Sequence, residues 1–439
     1  MVAFETLLLG IIFGRPPIRL MVAPPVATVE VRLDGTQIAV LRGPPWMTEY
    51  DFGRTPMPHE LVAVGFNASG RQVGRATQWL NFGRQKAGVS VLLERDAKTG
   101  QPVMATVAWK AMNQAEPQAV TATLDGATLA VPDPRRIPLP RTDPAQPHLL
   151  SVEVVFPEDL RDRADLAFGG DVIESAESEL TAVPVVLPPK QKELDLRELK
   201  GVFAVDGATR EPIAVETSRA EVAVVVEKTA WDRMWNLKSE WRPPFGPPTL
   251  KPDRDRFYVV STVAQQVRGS EDTASLFPMS YPRSLSWLDH YGALRQLTYA
   301  VVAPQEQTVA NAVAVAGAEV AAHNHRRAVV VLLGDSAPTY PGIDPRLYDG
   351  STLEVAAVRG YLAALDVPLF VWSVAGGAGG PLTADWGPAE DVSTRGKLRK
   401  AVKKVKAALE AQRIVWFSGR HLPQRITLDT AATPLRLAR

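Results

Sequence analysis

The chain contains no cysteine. Disulfide staples, thiolate zinc sites and cysteine nucleophiles are therefore excluded. An excess of either charge is also missing. The 49 Lys and Arg stand against 48 Asp and Glu, a formal net charge of +1. No global field recruits nucleic acid or an anionic membrane, so neither is expected as a partner. No Gly-x-Ser-x-Gly nucleophile elbow occurs. No apolar run has the length of a transmembrane span. Phe4 to Phe13 (FETLLLGIIF) has the length of a leader's apolar region, but Glu5 intrudes. No Lys or Arg precedes it, and Arg15-Pro16-Pro17 follows in place of small residues. Residues 1–21 are thus expected to be either a leader or a docking segment for a larger complex.

What is abundant is proline, at 37 residues, and proline punctuates strands and linkers more than helices. A length of 439 residues calls for two to four domains. The first half contains a repeat. Val29 to Val40 reads VEVRLDGTQIAV and Val120 to Val131 reads VTATLDGATLAV. Each alternates apolar and polar residues, breaks at Asp-Gly and resumes, which is a hairpin signal. Each is followed by a proline-rich stretch and then a His that opens another strand, His59 and His148. The offset from the Asp is 25 residues in one copy and 23 in the other. Regular short strands of this kind indicate β-sandwiches, here over residues 22–86 and 87–190.

From about residue 200 the pattern becomes strand–helix alternation, expected to build one α/β domain over 200–439. Strands are expected at Glu221–Glu227, Phe257–Val263, Ala328–Leu333, Pro368–Ser373 and Ile414–Phe417. Helices fit Gln307–His323, Thr352–Leu365 and Lys397–Gln412. The apolar runs are continuous rather than alternating, as in strands covered on both faces. Phe203-Ala204-Val205-Asp206-Gly207 holds a further Asp-Gly turn, expected to lead into the last domain's sheet.

The run EVAVVVEK (Glu221 to Lys228) and the run RAVVVLLGDS (Arg327 to Ser336) resemble the first and fourth strands of a von Willebrand factor A domain. With the Leu180-Thr181-Ala182-Val183-Pro184 junction and the terminal ALEAQRIVWFSG, the chain resembles bacterial VWFA-related proteins. The resemblance implies two immunoglobulin-like β-sandwiches followed by an α/β, Rossmann-like domain with a mostly parallel sheet. In that family Asp-x-Ser-x-Ser after the first strand, with a later Thr and Asp, holds a divalent cation through hard oxygen ligands. The positions here carry Glu227, Thr229 and Trp231, with Asp335 at the late position. Trp231 cannot ligate and Lys228 sets a cation beside the site. The expectation is a degenerate metal site and no cofactor. If a metal does bind, Glu227, Thr229 and Asp335 would hold it.

Other constellations are thinner. His323-Asn324-His325 offers two ligands where a zinc site needs more. Gly376-Gly377-Ala378-Gly379-Gly380 lacks the Lys-Ser/Thr of a phosphate loop. Asp335 and Ser336 with a distant His would make a hydrolase triad only on paper. The cluster Trp231, Trp235, Trp241 and Phe245, rich in neighbouring prolines, is a candidate partner-binding patch, because aromatics anchor interfaces. The expected function is non-catalytic protein–protein interaction or a structural role, not an enzyme. The resemblance places it in the bacterial envelope, in the periplasm or outside the cell. A metal-dependent adhesin and a hydrolase are the alternatives.

Overall fold

The computed structural model describes residues 1–82, 87–96, 99–111, 115–125, 127–143, 148–157, 161–168, 180–236, 255–262, 277, 279–295, 309–334, 353–375 and 385–439. The chain divides into two units. The first comprises Met1–Gly53 with His59–Glu177, and the second Arg54–Pro58 with Ser178–Arg439.

The first unit is two β-sandwiches. In the first, the strands Thr36–Leu41, Thr28–Leu33, His59–Phe66 and Gln72–Leu80 form one antiparallel sheet. Val2–Phe4, Pro17–Val22 and Met47–Glu49 form the other. Val29, Val31 and Leu33 alternate inward, as a pleated strand requires, and meet Ile18, Leu61 and Leu80 in the core. Residues 1–21 are not a docking segment set apart from the body. Val2–Phe4 pairs with Leu20–Val22, and Phe4 is buried among the core residues. The apolar run reads like a detached element because its partner strand lies beyond a proline-rich bend.

The second sandwich has Ala127–Thr128, Ala119–Leu124, His148–Val155 and Arg161–Phe168 in one sheet. Arg136–Pro138, Pro102–Ala111 and Ala87–Arg95 form its other sheet. Leu93, Ile137, Leu150, Val152 and Phe156 fill the space between them. The repeated turns have the expected geometry: Asp34 and Gly35 take φ of 52° and 85°, and Asp125 takes 51°. Two successive left-handed residues match the twist of the flanking strands.

The second unit holds a third sandwich. Ala214–Glu216, Gln412–Ser418, Leu180–Val186 and Arg436–Leu437 form one sheet, and Ala208–Thr209, Phe203–Val205 and Ile426–Leu428 the other. Its Asp206-Gly207 turn repeats the left-handed geometry at 51° and 78°. In the first copy the Asp34 amide donates to the Glu60 carbonyl at 2.8 Å; here the Asp206 amide donates to Arg425 at 3.2 Å. The strand that completes the pattern therefore arrives only at Ile426–Leu428, because an α/β layer is inserted between Glu216 and Gln412.

This arrangement corrects three expectations. Leu180–Val186 belongs to the third sandwich, not to the second. The region 200–439 is not a single α/β domain. Gln412–Ser418 does not join the parallel sheet; it pairs antiparallel with Leu180–Val186 over its whole length. The physical sign is burial: the central parallel strands are buried at every position, whereas Gln412–Ser418 mixes buried and half-buried ones.

The inserted layer has six strands in the order Arg283–Ser284, Arg256–Ser261, Ala220–Val226, Arg326–Leu333, Leu369–Ser373 and Glu390–Asp391. All neighbours run parallel except the first pair. Five α-helices are present among the described residues: α1 Lys228–Asn236, α2 Tyr291–Leu294, α3 Val309–Ala322, α4 Val355–Ala364 and α5 Arg395–Glu410. Leu398, Val402, Val405 and Leu409 of α5 pack with Ala230 and Met234 of α1 on Val222, Val224 and Val330. α3 lies against the two central strands and beside α4. At Gly317 of α3 an added Cβ would stand 2.1 Å from a terminal methyl of Leu362 on α4, so that side chain would have to move to admit one.

Candidate site at the carboxyl edge of the parallel sheet

Strand order reverses between Ala220–Val226 and Arg326–Leu333, whose chain continuations leave in opposite directions. In open α/β sheets ligands favour the crevice outside the carboxyl ends at such a point. Glu227 stands there, directly after the first strand and directly before α1. It is 1% exposed. One carboxylate oxygen accepts from the Thr229 amide at 2.8 Å. The other accepts from the Thr229 hydroxyl, from the Ala230 amide at 3.1 Å and from the Gly334 amide at 3.3 Å. A carboxylate has about four acceptor positions, two on each oxygen; three of the four donors crowd one oxygen and a single donor holds the other.

The arrangement is a helix cap that also ties two neighbouring strand ends together. The Thr229 and Ala230 amides are orphan donors of the first turn of α1, which a side-chain oxygen before the helix satisfies. The positive end of the helix dipole suits the anion. Gly334 is the close approach that makes the third tie. A Cβ there would meet the Thr229 hydroxyl at 1.9 Å and the Ala230 nitrogen at 2.8 Å. Nearby, the buried Thr262 hydroxyl donates to the Val226 carbonyl at 3.4 Å, and the Ser373 hydroxyl accepts from the Ala375 amide at 3.2 Å. Among the described residues, Glu227, Thr262 and Ser373 thus each bond to backbone groups at these strand ends.

Of the candidate metal ligands that are described, Glu227 and Thr229 bond to one another, and Glu227 also accepts from backbone amides. Lys228 folds over α1 to pair with Asp232, with its ammonium 5.3 Å from the centre of the Trp231 ring. Among the described residues no three His, Asp or Glu gather closely enough to hold a metal. Asp335 and Ser336 lie outside the described residues, as do Trp241, Phe245 and Gly376–Gly380. Trp235 lies on α1. Trp231 is half-buried and packs against the hydrophobic core.

The histidines are placed elsewhere. His323 and His325 sit at the amino edge, where Arg326–Leu333 begins. His323 Nδ1 lies 2.6 Å from Glu221, which also pairs with Arg219 at 2.9 Å. Burial works to raise the Glu221 pKa, but the His323 hydrogen bond and charge hold it below the usual carboxylate range. The same hydrogen bond raises His323. Burial, and then Arg219, push His325 down. In the sandwiches, His59 Nδ1 meets Asp34 at 2.6 Å and His148 Nδ1 meets Asp125 at 2.7 Å. The hydrogen bond to Asp125, and then the Asp143 carbonyl, raise His148. Each pair locks an Asp-Gly turn to the strand that follows.

Two residues not singled out in the sequence dominate the amino edge. Arg327 is buried and donates to the carbonyls of Ala321 (3.3 Å), Leu365 (2.9 Å) and Asp366 (3.4 Å), at the ends of α3 and α4. Arg326 donates to Leu409 at the end of α5 (3.1 Å), to Ser218 (2.5 Å) and to Asp255 (3.1 Å). Adjacent arginines opening a strand that follows a helix were the available signal.

No family model matches the chain, and no curated protein matches it. Among solved structures, the fibronectin(III)-like modules of Clostridium thermocellum CbhA align at 15% identity and a TM-score of 0.16. That alignment covers 41% of this chain and 100% of the other. The central fibronectin-III array of RIM-binding protein aligns at 11% identity and a TM-score of 0.19, covering 43% and 76%. The β-sandwich assignment rests on the strand pairing described above rather than on these alignments.

Proposed function

We propose that the chain is a non-catalytic interaction or structural protein whose α/β layer is a von Willebrand factor A-like platform with a degenerate metal site. The observation that supports the reading is the engagement of Glu227 by four protein donors at the position where that platform would present its first metal ligand. A buried carboxylate bonded to the backbone and hydroxyl of its own helix start acts as a structural cap. The pairing of the first and fourth strands of the layer supports the same reading. So do the partners of the histidine rings, which are carboxylates for His59, His148 and His323. Function then resides in surface shape. Trp231, Trp235, Trp241 and Phe245 are the proposed contact residues. The compartment proposed is the bacterial envelope or the extracellular space.

Calorimetric titration with Mg²⁺, Ca²⁺ and Mn²⁺ tests the reading. No saturable heat is expected at millimolar ion. Micromolar binding that disappears in Asp335→Ala would overturn it.

A further inference from the structure

A groove of about 960 Å³ opens in the second unit, where α5 ends and Gln412–Ser418 begins. It lies at the amino edge of the parallel sheet, since Leu409 in the last turn of α5 holds Arg326 at the start of its strand. Val186, Leu187, Pro188, Pro434 and Leu435 give it an apolar floor. The charged groups around that floor are Lys190, Lys192, Arg413 and Arg436, against one carboxylate, Glu410. With a net charge of only +1 over the whole chain, this surplus is local.

The end of α5 should oppose an anion, because a helix C-terminus carries unpaired carbonyls and partial negative charge. Here those carbonyls are taken. Arg326 donates to Leu409 at 3.1 Å, Arg413 to Glu410 at 2.9 Å, and the Leu187 amide to Ala411 at 2.8 Å. Arg413 is committed to this task and also reaches the carbonyls of Gln412 and Lys192. Burial, and then the Arg326 charge, hold its guanidinium below the usual range, against the opposing charge of Glu193. Lys190, Lys192 and Arg436 remain exposed.

α5 extends the surplus. On one flank Lys397 pairs with Asp391 and Lys404 with Glu390. On the other flank Arg399 pairs with Asp289, but Lys403 and Lys406 have no ion pair among the described residues. Residues three and four apart share a helix face, so Lys403 and Lys406 lead along that flank to Glu410 at the groove.

We propose that this groove binds an extended, acidic segment of a partner protein. Alternating side chains of an extended segment suit an apolar floor beneath a cationic rim. The groove also borders Arg436–Leu437, an edge strand that an extended chain can join. Among the described residues no aromatic side chain lines it for base stacking, and it is concave where a lipid surface is flat. The proposal stands apart from the reading of Glu227, which concerns the opposite edge of the sheet.

The test uses the full chain and a fluorescent peptide of about twelve residues alternating Glu and Val, followed by anisotropy. Saturable binding is expected that weakens with salt and falls about tenfold or more in Lys190→Glu/Lys192→Glu/Arg436→Glu. A smaller loss is expected in the single Lys192→Gln, which guards against misfolding of the triple variant. Thermal unfolding of each variant is measured beside it, and Arg71→Glu in the first sandwich should bind as the parent does. The proposal is overturned by absence of saturable binding, by equal binding of a Lys-Val peptide, or by parental affinity in both groove variants. It is equally overturned if phosphatidylglycerol vesicles or a thymidine oligonucleotide bind there more tightly than the peptide. Divalent-ion calorimetry at Glu227 leaves this result untouched, so the two readings fail separately.

Discussion

The two edges of the parallel sheet solve opposite electrostatic problems with the same device. At the amino edge, Arg326 and Arg327 bury cations against the carbonyl ends of α3, α4 and α5. At the carboxyl edge, Glu227 buries an anion against the amide end of α1. Each charge sits where the helix dipole favours it and uses backbone groups that no helix can satisfy internally. The contrast teaches that a charged residue at a strand end is not by itself a functional group. What marks a strut is that its hydrogen bonds go to the backbone at neighbouring helix ends.

The largest effect is expected at the amino edge. Arg327→Met removes a buried cation and strands three carbonyls. Urea denaturation should show a loss of about 3–5 kcal/mol. A loss below about 1 kcal/mol would mean the two edges are not equivalent struts. Glu227→Gln is the matching test at the other edge. It keeps the shape but turns an NH₂ toward donors, and should cost about 1–3 kcal/mol without changing any divalent-ion response.

Asp366 breaks the pattern, being an anion at the cation-bearing edge. It is the left-handed residue that ends α4, with φ of 52° and its amide bonded to Ala363 at 3.2 Å. Burial pushes its pKa up to about 6, although Arg439 bonds it at 2.9 Å and Arg327 is near. A raised carboxyl favours the folded state in its protonated form. That benefit is complete below the unfolded value of 3.8 and is lost as pH rises to about 6. Asp366→Asn, which also accepts the left-handed backbone, should therefore stabilise by about 1–3 kcal/mol at pH 8 and give no gain at pH 4. Thermal melts at the two pH values decide it.

The smallest effect is expected away from the sheet. His148 is raised by Asp125, so its contribution is present below the ordinary His value of 6.5 and fades as pH climbs through the raised one. Melts of the parent should show a modest loss between pH 6 and pH 8, and Asp125→Asn should flatten that slope.

Much of the architecture could be read from local pattern. The Asp-Gly hairpins, the His that opens the next strand and the buried runs around Val224 and Val330 all carry short-range signals. The Glu227 site was legible only in part. Its identity marked the departure from a metal-binding pattern, but the donors that fill it include Gly334, more than a hundred residues away in sequence. The carbonyl clamps of Arg326 and Arg327 escaped notice because an arginine before an apolar strand looks the same whether it faces water or three helix ends.

The sequence by itself determined the turns, the strand and helix periods and the balance of charge, since these depend on neighbours within a few residues. Tertiary structure alone decided that the third sandwich is split around the α/β layer. Val205 and Ile426 become partners only when the intervening chain folds on itself, and no local preference encodes a pairing that the closure of so long a loop must bring about.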